Sequence, residues 1–189
     1  MTSIDTPDWS KLPAPEDDGA TRHLPGSPLP SIELHATNGS LVDLSKMSGR
    51  TVVFAFPRTG RPGVENPPGW DQIPGARGCS PQSCSFRDRF AEFEKAGVRN
   101  IFGLSTQESA YQREAVERLH LPFPFLSDEH LQLTRALRLP NFEVAGMTLL
   151  KRFTLIIESG KIRHVFYPVF PPDQNASEVL QWIRAHEND

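Results

Sequence analysis

Cys79 and Cys84 close the run Gly78-Cys79-Ser80-Pro81-Gln82-Ser83-Cys84 and are the only 2 cysteines of the chain. A cysteine does chemistry as its thiolate, which attacks peroxides and disulfides and ligates soft metals. Zinc needs about four ligands, and this pair has neither a second cysteine pair nor a histidine cluster beside it, since the 6 histidines are scattered. Two cysteines are also too few to staple a chain of this size as a disulfide scaffold. What remains is a redox-active thiol pair, set against the plain alternative of two inert, small apolar side chains.

The surroundings of the run favour chemistry. With Ser80 as N-cap and Pro81 as first helical residue, the spacing predicts a helix whose positive end faces the Cys79 sulfur, near unpaired backbone N–H groups. Arg77 and Arg87 add cations close in sequence, and a helix from about Ser80 turns Arg87 towards the first-turn side. The plain alternative for Arg87 is a solvated surface charge.

Stepping outward from the cysteines, Thr51 to Phe56 is β-branched and aromatic without polar alternation, which predicts a central strand buried on both faces. Between Pro57 and Gly78, prolines at 57, 62, 67, 68 and 74 and glycines at 60, 63, 69, 75 and 78 predict a long loop. Phe86, Phe90 and Phe93 recur at helical spacing up to Gly97, predicting one amphipathic helix that begins at the cysteines. A strand over Val98 to Ser105 and a helix from about Glu108 to His120 follow. Leu121 to Phe125 is extended, Ser127-Asp128 caps a short helix to about Leu137, and Phe153 to Ile157 with Ile162 to Tyr167 form a hairpin. Asn175 followed by Glu178 is an N-terminal capping pattern for a last helix.

Upstream, Ile32 to Leu34 and Leu41 to Leu44 flank Thr37-Asn38-Gly39, the chemistry of a tight β-hairpin turn. Residues 1 to 29 are rich in Pro, Asp, Ser and Gly and are expected to be a flexible, loosely attached arm, with one domain over residues 30 to 189. The alternation of strands and helices predicts an α/β domain with a mixed sheet covered on both faces, a thioredoxin-like architecture.

At 189 residues with 38% hydrophobic and 23% charged residues, the composition is that of a soluble single domain. A formal net charge of -3 and the absence of a Lys/Arg run argue against nucleic acid as a partner. No apolar run reaches the roughly 20 residues of a membrane span, and the first residues lack a secretory pattern, so no membrane role and a cytoplasmic location are expected.

A resemblance carries the reading further. Val52 to Phe56 with Pro57, the run Gly78 to Asp88, Leu104-Ser105, Leu121 to Asp128, and Arg152 to Ile157 with Gly160-Lys161-Ile162 together resemble the peroxiredoxins, and within them the bacterioferritin comigratory protein or Q-type group. The resemblance spans about residues 30 to 183. It implies a thiol peroxidase without metal or cofactor, acting on hydrogen peroxide and organic hydroperoxides and recycled by a dithiol protein such as thioredoxin. It implies that Cys79 is the peroxidatic cysteine, that Cys84 resolves it as an intramolecular disulfide, and that Arg87 and Arg152 are the arginines of the thiolate pocket. Pro57 matches the proline that shields the pocket; as a bare sequence feature it is a strand terminator, and Arg152 a surface strand residue. A local disulfide is compatible with a monomer or a homodimer.

The chain departs from that family pattern in two respects. The gap from Pro57 to Cys79 is far longer than the family motif, and Ala76 stands where an activating Thr or Ser belongs. Thr59 is the hydroxyl that could replace it, if the insertion loops outward. Trp70, Pro67 and Pro68 either cover the pocket mouth, form a partner surface or pack locally. Two other readings share the architecture: a thiol–disulfide exchange protein, which normally has two residues between its cysteines, and a peroxide sensor whose proline-rich loop docks a partner on oxidation.

Overall fold

The computed structural model describes residues 6 to 187. Its sheet contains β1 (Glu33–Ala36), β2 (Leu41–Asp43), β3 (Arg50–Ala55), β4 (Val98–Ser105), β5 (Phe125–Ser127), β8 (Phe153–Glu158) and β9 (Lys161–Phe166). The spatial order is β2-β1-β5-β4-β3-β8-β9, and β6 (Asn141–Val144) with β7 (Met147–Leu150) forms a separate hairpin. β3 runs parallel to β4 and antiparallel to β8, and β4 parallel to β5, so the sheet is mixed and β3 lies inside it. Five helices accompany the strands in the described residues: α1 (Cys79–Asp88), α2 (Phe90–Lys95), α3 (Ser109–Arg118), α4 (Gln132–Leu137) and α5 (Asn175–Ala185).

The two-residue repeat of β3 sorts its side chains to opposite faces. Val52 and Phe54, with Phe56 beyond the strand, enter a core with Phe86, Phe93, Ala115 and Ile183 from the helices; Val53 and Ala55 enter a second core with Leu34, Leu133 and Leu155. The Phe86 ring stacks on Phe54 at 4.4 Å between centroids, fixing α1 to the central strand. The thioredoxin-like architecture expected from the alternation of elements is the one the chain adopts. Its N-terminal hairpin pairs Leu34 with Val42, and Gly39 takes φ +87 at the turn, a backbone state open to glycine at little cost.

Four local expectations are corrected. The helix expected to run unbroken from the cysteines to Gly97 is two, separated at Arg89. Its N-cap is Gly78, with φ +117, rather than Ser80, so Cys79 is the first helical residue. Asn175 does not cap α5; its side chain is buried and accepts from Gln82 and Thr154. Residues within 1 to 29, expected as a loosely attached arm, pack on the domain. Leu24 is 0% exposed, Gly26 donates to the Ile162 carbonyl at 2.7 Å and Leu29 to Gly160 at 2.8 Å. The first five residues of that expected arm lie outside the described residues.

Candidate active site

Cys79 opens α1, which the long loop joins to the end of β3. The loop carries one short helical turn at Trp70–Gln72, and Trp70 packs with Ala76 and Leu149. Gly78 makes the entry possible: at its positive φ a Cβ would also lie 2.5 Å from the Pro172 side chain and 3.0 Å from the Trp9 ring. The chain therefore enters the helix under a cover supplied by Trp9 and Pro172. The first intrahelical bond runs from Gln82 N to Gly78 O at 3.0 Å, so Pro81 costs α1 no hydrogen bond.

Cys79 is 6% exposed, and its sulfur lies 3.4 Å from Nη2 of Arg152. Arg152, in the link between β7 and β8, is 3% exposed. Its Nη1 donates to Gln82 Oε1 at 2.6 Å, and Nη2 donates to the carbonyls of Gly75 and Ala76 at 3.2 and 3.1 Å. Gln82 is held in turn by Nε2 donating to Asn175 Oδ1, which also accepts from Thr154 Oγ1. Every oxygen that meets this guanidinium is neutral. A buried cation without a carboxylate is costly unless an anion is supplied, and the adjacent group able to become one is the Cys79 sulfur. The N-terminal dipole of α1 favours the same charge.

Cys84 lies on another side of α1. Residues five apart on a helix are rotated by about 140° and have Cα atoms about 8.7 Å apart. Cys84 is 5% exposed, and both cysteines are free thiols. Burial pushes the Cys84 thiol above its ordinary value; Arg87 opposes this, Asp88 adds to it and Arg118 opposes it. Arg87 itself donates from Nη1 to the Leu119 carbonyl at 2.7 Å and pairs with Asp88 at 2.8 Å. Its charge is felt at Cys84, and it has no hydrogen bond to the Cys79 sulfur.

Pro57 is buried just beyond β3 but is not in the wall of the cavity over Cys79. Thr59 is 1% exposed, and its hydroxyl donates to Gln107 Oε1 at 3.2 Å rather than to the cysteine. Ala76 contributes a carbonyl in place of a hydroxyl, accepting from Arg152 and, at 4.0 Å, from the Cys79 thiol. Arg58, Arg118 and Gln82 were not singled out from the sequence, and Asn175 only as a helix cap. Gln82, three residues beyond Cys79 on α1, was findable by helical spacing; the others reach the site only through the fold.

The cavity over Cys79 has a volume of about 380 Å³ and is walled by the N-terminal segment, the long loop and the end of α3. A buried thiol at a helix start, beside a guanidinium short of an anion and under an open cavity, defines a thiol-based redox protein on a thioredoxin-like fold. The comparisons with known proteins narrow the class. The Redoxin family model matches residues 24 to 181. Peroxiredoxin Q, chloroplastic, of Oryza sativa subsp. japonica is 29% identical over 191 residues, covering 98% of this chain and 80% of that protein. Peroxiredoxin Q, chloroplastic, of Sedum lineare is 30% identical over 161 residues, covering 85% and 77%. Among solved structures, the peroxidoxin BcpB of Mycobacterium tuberculosis superposes with a TM-score of 0.69 at 25% identity, over 87% of this chain and 99% of that one. Peroxiredoxin Q of Xanthomonas campestris, at 22% identity, shares the fold with a TM-score of 0.67 over 85% and 96%. The chain belongs to the Redoxin family and, within it, to the peroxiredoxins of the Q or bacterioferritin comigratory protein group. It is a thiol-dependent peroxidase. Among the described residues, no helix is long and apolar enough to cross a membrane.

Proposed function

We propose that Cys79 is the peroxide-attacking cysteine, that Cys84 resolves it, and that Arg152 and Arg87 serve one sulfur each. The observation that carries this reading is the buried Arg152 guanidinium, 3.4 Å from the Cys79 sulfur and met otherwise by neutral oxygens. In the first step the Cys79 thiolate attacks the terminal oxygen of a hydroperoxide. The S–O bond forms as the O–O bond breaks, the leaving alkoxide or hydroxide takes a proton, and Cys79 becomes a sulfenic acid. Arg152 meets the thiolate and then the charge that moves onto oxygen. In the second step the Cys84 thiol, as its thiolate, displaces hydroxide from the Cys79 sulfur, which leaves as water, and the disulfide forms. A dithiol protein of the thioredoxin kind returns two electrons and two protons by exchange.

The burial of Cys84 supports a division of labour, because a thiol held neutral does not compete for peroxide while α1 is intact. A cycle that ends in protein dithiol suits a reducing compartment, the cytoplasm in our reading. The test is consumption of reductant driven by peroxide. Cys79→Ser is expected to abolish it without loss of fold, because a serine hydroxyl near pH 7 gives almost no anion. Cys84→Ser is expected to form one equivalent of sulfenic acid and then overoxidise. Undiminished steady turnover in either variant would reverse the assignment, and a wild-type protein that is oxidised once but does not cycle would favour a sensor.

A further inference from the structure

The cavity over Cys79 is much larger than its simplest substrate. One water occupies about 30 Å³ of liquid and hydrogen peroxide little more, against about 380 Å³ here. That volume is within the ordinary range of sites for small organic molecules. The wall has a marked sign: Arg58, Arg77 and Arg118 line it, and no Asp or Glu does. Arg77 is neutralised by Asp71 at 2.8 Å and Arg118 by Glu114 at 2.6 Å. Arg58 is not. Its Nη2 donates to the Tyr111 hydroxyl at 3.1 Å, and its guanidinium lies 5.7 Å from the centre of that ring. Arg61 sits 3.9 Å from the same ring centre with its Nε buried and unpartnered. Among the described residues, neither of these two guanidiniums has a carboxylate partner. Around them the lining includes the apolar side chains of Trp70, Pro62 and Leu119, together with the polar Asn66 and Ser80.

We propose that this cavity selects organic hydroperoxides that carry a carboxylate, with the hydroperoxide at Cys79, the hydrocarbon against Trp70 and Pro62, and the carboxylate on Arg58. The inference rests on the peroxidase reading above and names its substrate class. Bulk alone would admit any alkyl hydroperoxide. A guanidinium without an anion, inside a partly desolvated cavity, adds a preference for charge and presents the fork geometry that fits a carboxylate. The step is the one already written, with the carboxylate-bearing alcohol as leaving product.

A matched pair of substrates isolates charge from size: the 4-carboxy derivative of cumene hydroperoxide and its methyl ester, with hydrogen peroxide as a third substrate. At low salt the acid is expected to exceed the ester in kcat/KM by ~5-fold or more, with the excess shrinking as salt is added. Arg58→Gln is expected to bring the acid-to-ester ratio close to unity, and Arg58→Lys to keep most of it. Because the ratio is taken within each protein, a general loss of activity or of fold cancels. Equal use of acid and ester by the wild-type protein, with hydrogen peroxide still reduced, would overturn the inference alone. A ratio that survives in Arg58→Gln would overturn it as well. Failure to reduce any of the three would instead remove the peroxidase reading on which it rests.

Discussion

An arginine buried to 3% exposure needs a reason to be there, and for Arg152 the neighbouring neutral acceptors are not enough. Gln82, Gly75 and Ala76 accept from its Nη1 and Nη2 while its Nε is buried without a partner, and none of them balances its charge; the Cys79 sulfur, 3.4 Å from Nη2, does so once ionised. Arg152→Met keeps much of the volume and removes charge and donors together. The expected loss in the rate of Cys79 oxidation is about 10²-fold, the typical effect of deleting one preorganised donor to a reacting anion. Stopped-flow tryptophan fluorescence on mixing with hydrogen peroxide measures it. Arg87→Ala in the same experiment is the comparison, because Arg87 hydrogen-bonds the Leu119 carbonyl and acts electrostatically on Cys84. A loss as large for Arg87→Ala as for Arg152→Met would return Arg87 to the pocket of Cys79.

At the scale of elements, α1 has to be stable enough to hold Cys79 and weak enough to release Cys84. Cα atoms about 8.7 Å apart on an intact helix exceed the roughly 7 Å that a disulfide spans, so the bond forms only when the helix opens. The sequence of α1 suits this: Cys, Ser and Pro fill most of Cys79–Ser85, all of them poor helix formers. The Ser83 hydroxyl already draws on the Cys79 carbonyl at 2.8 Å and Ser85 on the Gln82 carbonyl at 2.7 Å. What holds the turn is tertiary, namely the stack of Phe86 on Phe54 and the bond from Gln82 to Asn175. Oxidation is therefore expected to expose amides from Gln82 to about Phe90 to hydrogen exchange while Val52 to Phe56 stays protected. Equal protection in both redox states, with the disulfide confirmed by mass, would place the opening elsewhere. The same elements show what the sequence could reveal. β3 was legible because both its faces are apolar, and the first hairpin because Asn38-Gly39 dictates a turn. The break at Arg89 was not, since Phe86, Phe90 and Phe93 keep helical spacing across it. The hairpin of β6 and β7 turns at Ala145-Gly146, where Ala145 takes φ +49, and alanine does not advertise a left-handed turn. The helix start was misplaced because Ser80-Pro81 looks like a cap, while Gly78 in fact supplies it through its backbone. Arg152 was reached by resemblance, and Arg58 and Arg118 not at all, because a wall assembled from three distant segments leaves no local period to read.

For the molecule as a whole, the N-terminal segment decides how far the domain extends. Its composition reads as disorder because it has few large apolar residues, yet two of them, Leu24 and Leu29, enter the core behind the sheet. Its backbone bonds to Ile162 and Gly160 cover the edge strand β9, which would otherwise present free N–H and C=O groups. Further out, Asp18 accepts from Lys151 and Tyr167, each at 2.8 Å, and these bonds, Lys151 first, hold its carboxyl at about 2. A depressed carboxyl contributes stability that is present above the ordinary carboxylate range and is lost as pH falls through about 2. With the Asp18 side chain 46% exposed, solvent screening keeps that contribution below ~1 kcal/mol. Burial of Leu24 contributes more, and Leu24→Ala is expected to cost about 2–5 kcal/mol, the range for deleting a fully buried leucine side chain. Urea unfolding of the reduced protein at pH 7, followed by far-ultraviolet circular dichroism, is expected to show that loss as a single shifted transition. Asp18→Asn is expected to shift the midpoint slightly at pH 7, with its difference from the wild-type protein closing as pH approaches 2. If Leu24→Ala unfolds within about 0.5 kcal/mol of the wild-type protein, inside the ordinary spread of surface substitutions, the segment is a peripheral arm after all and the core closes without it.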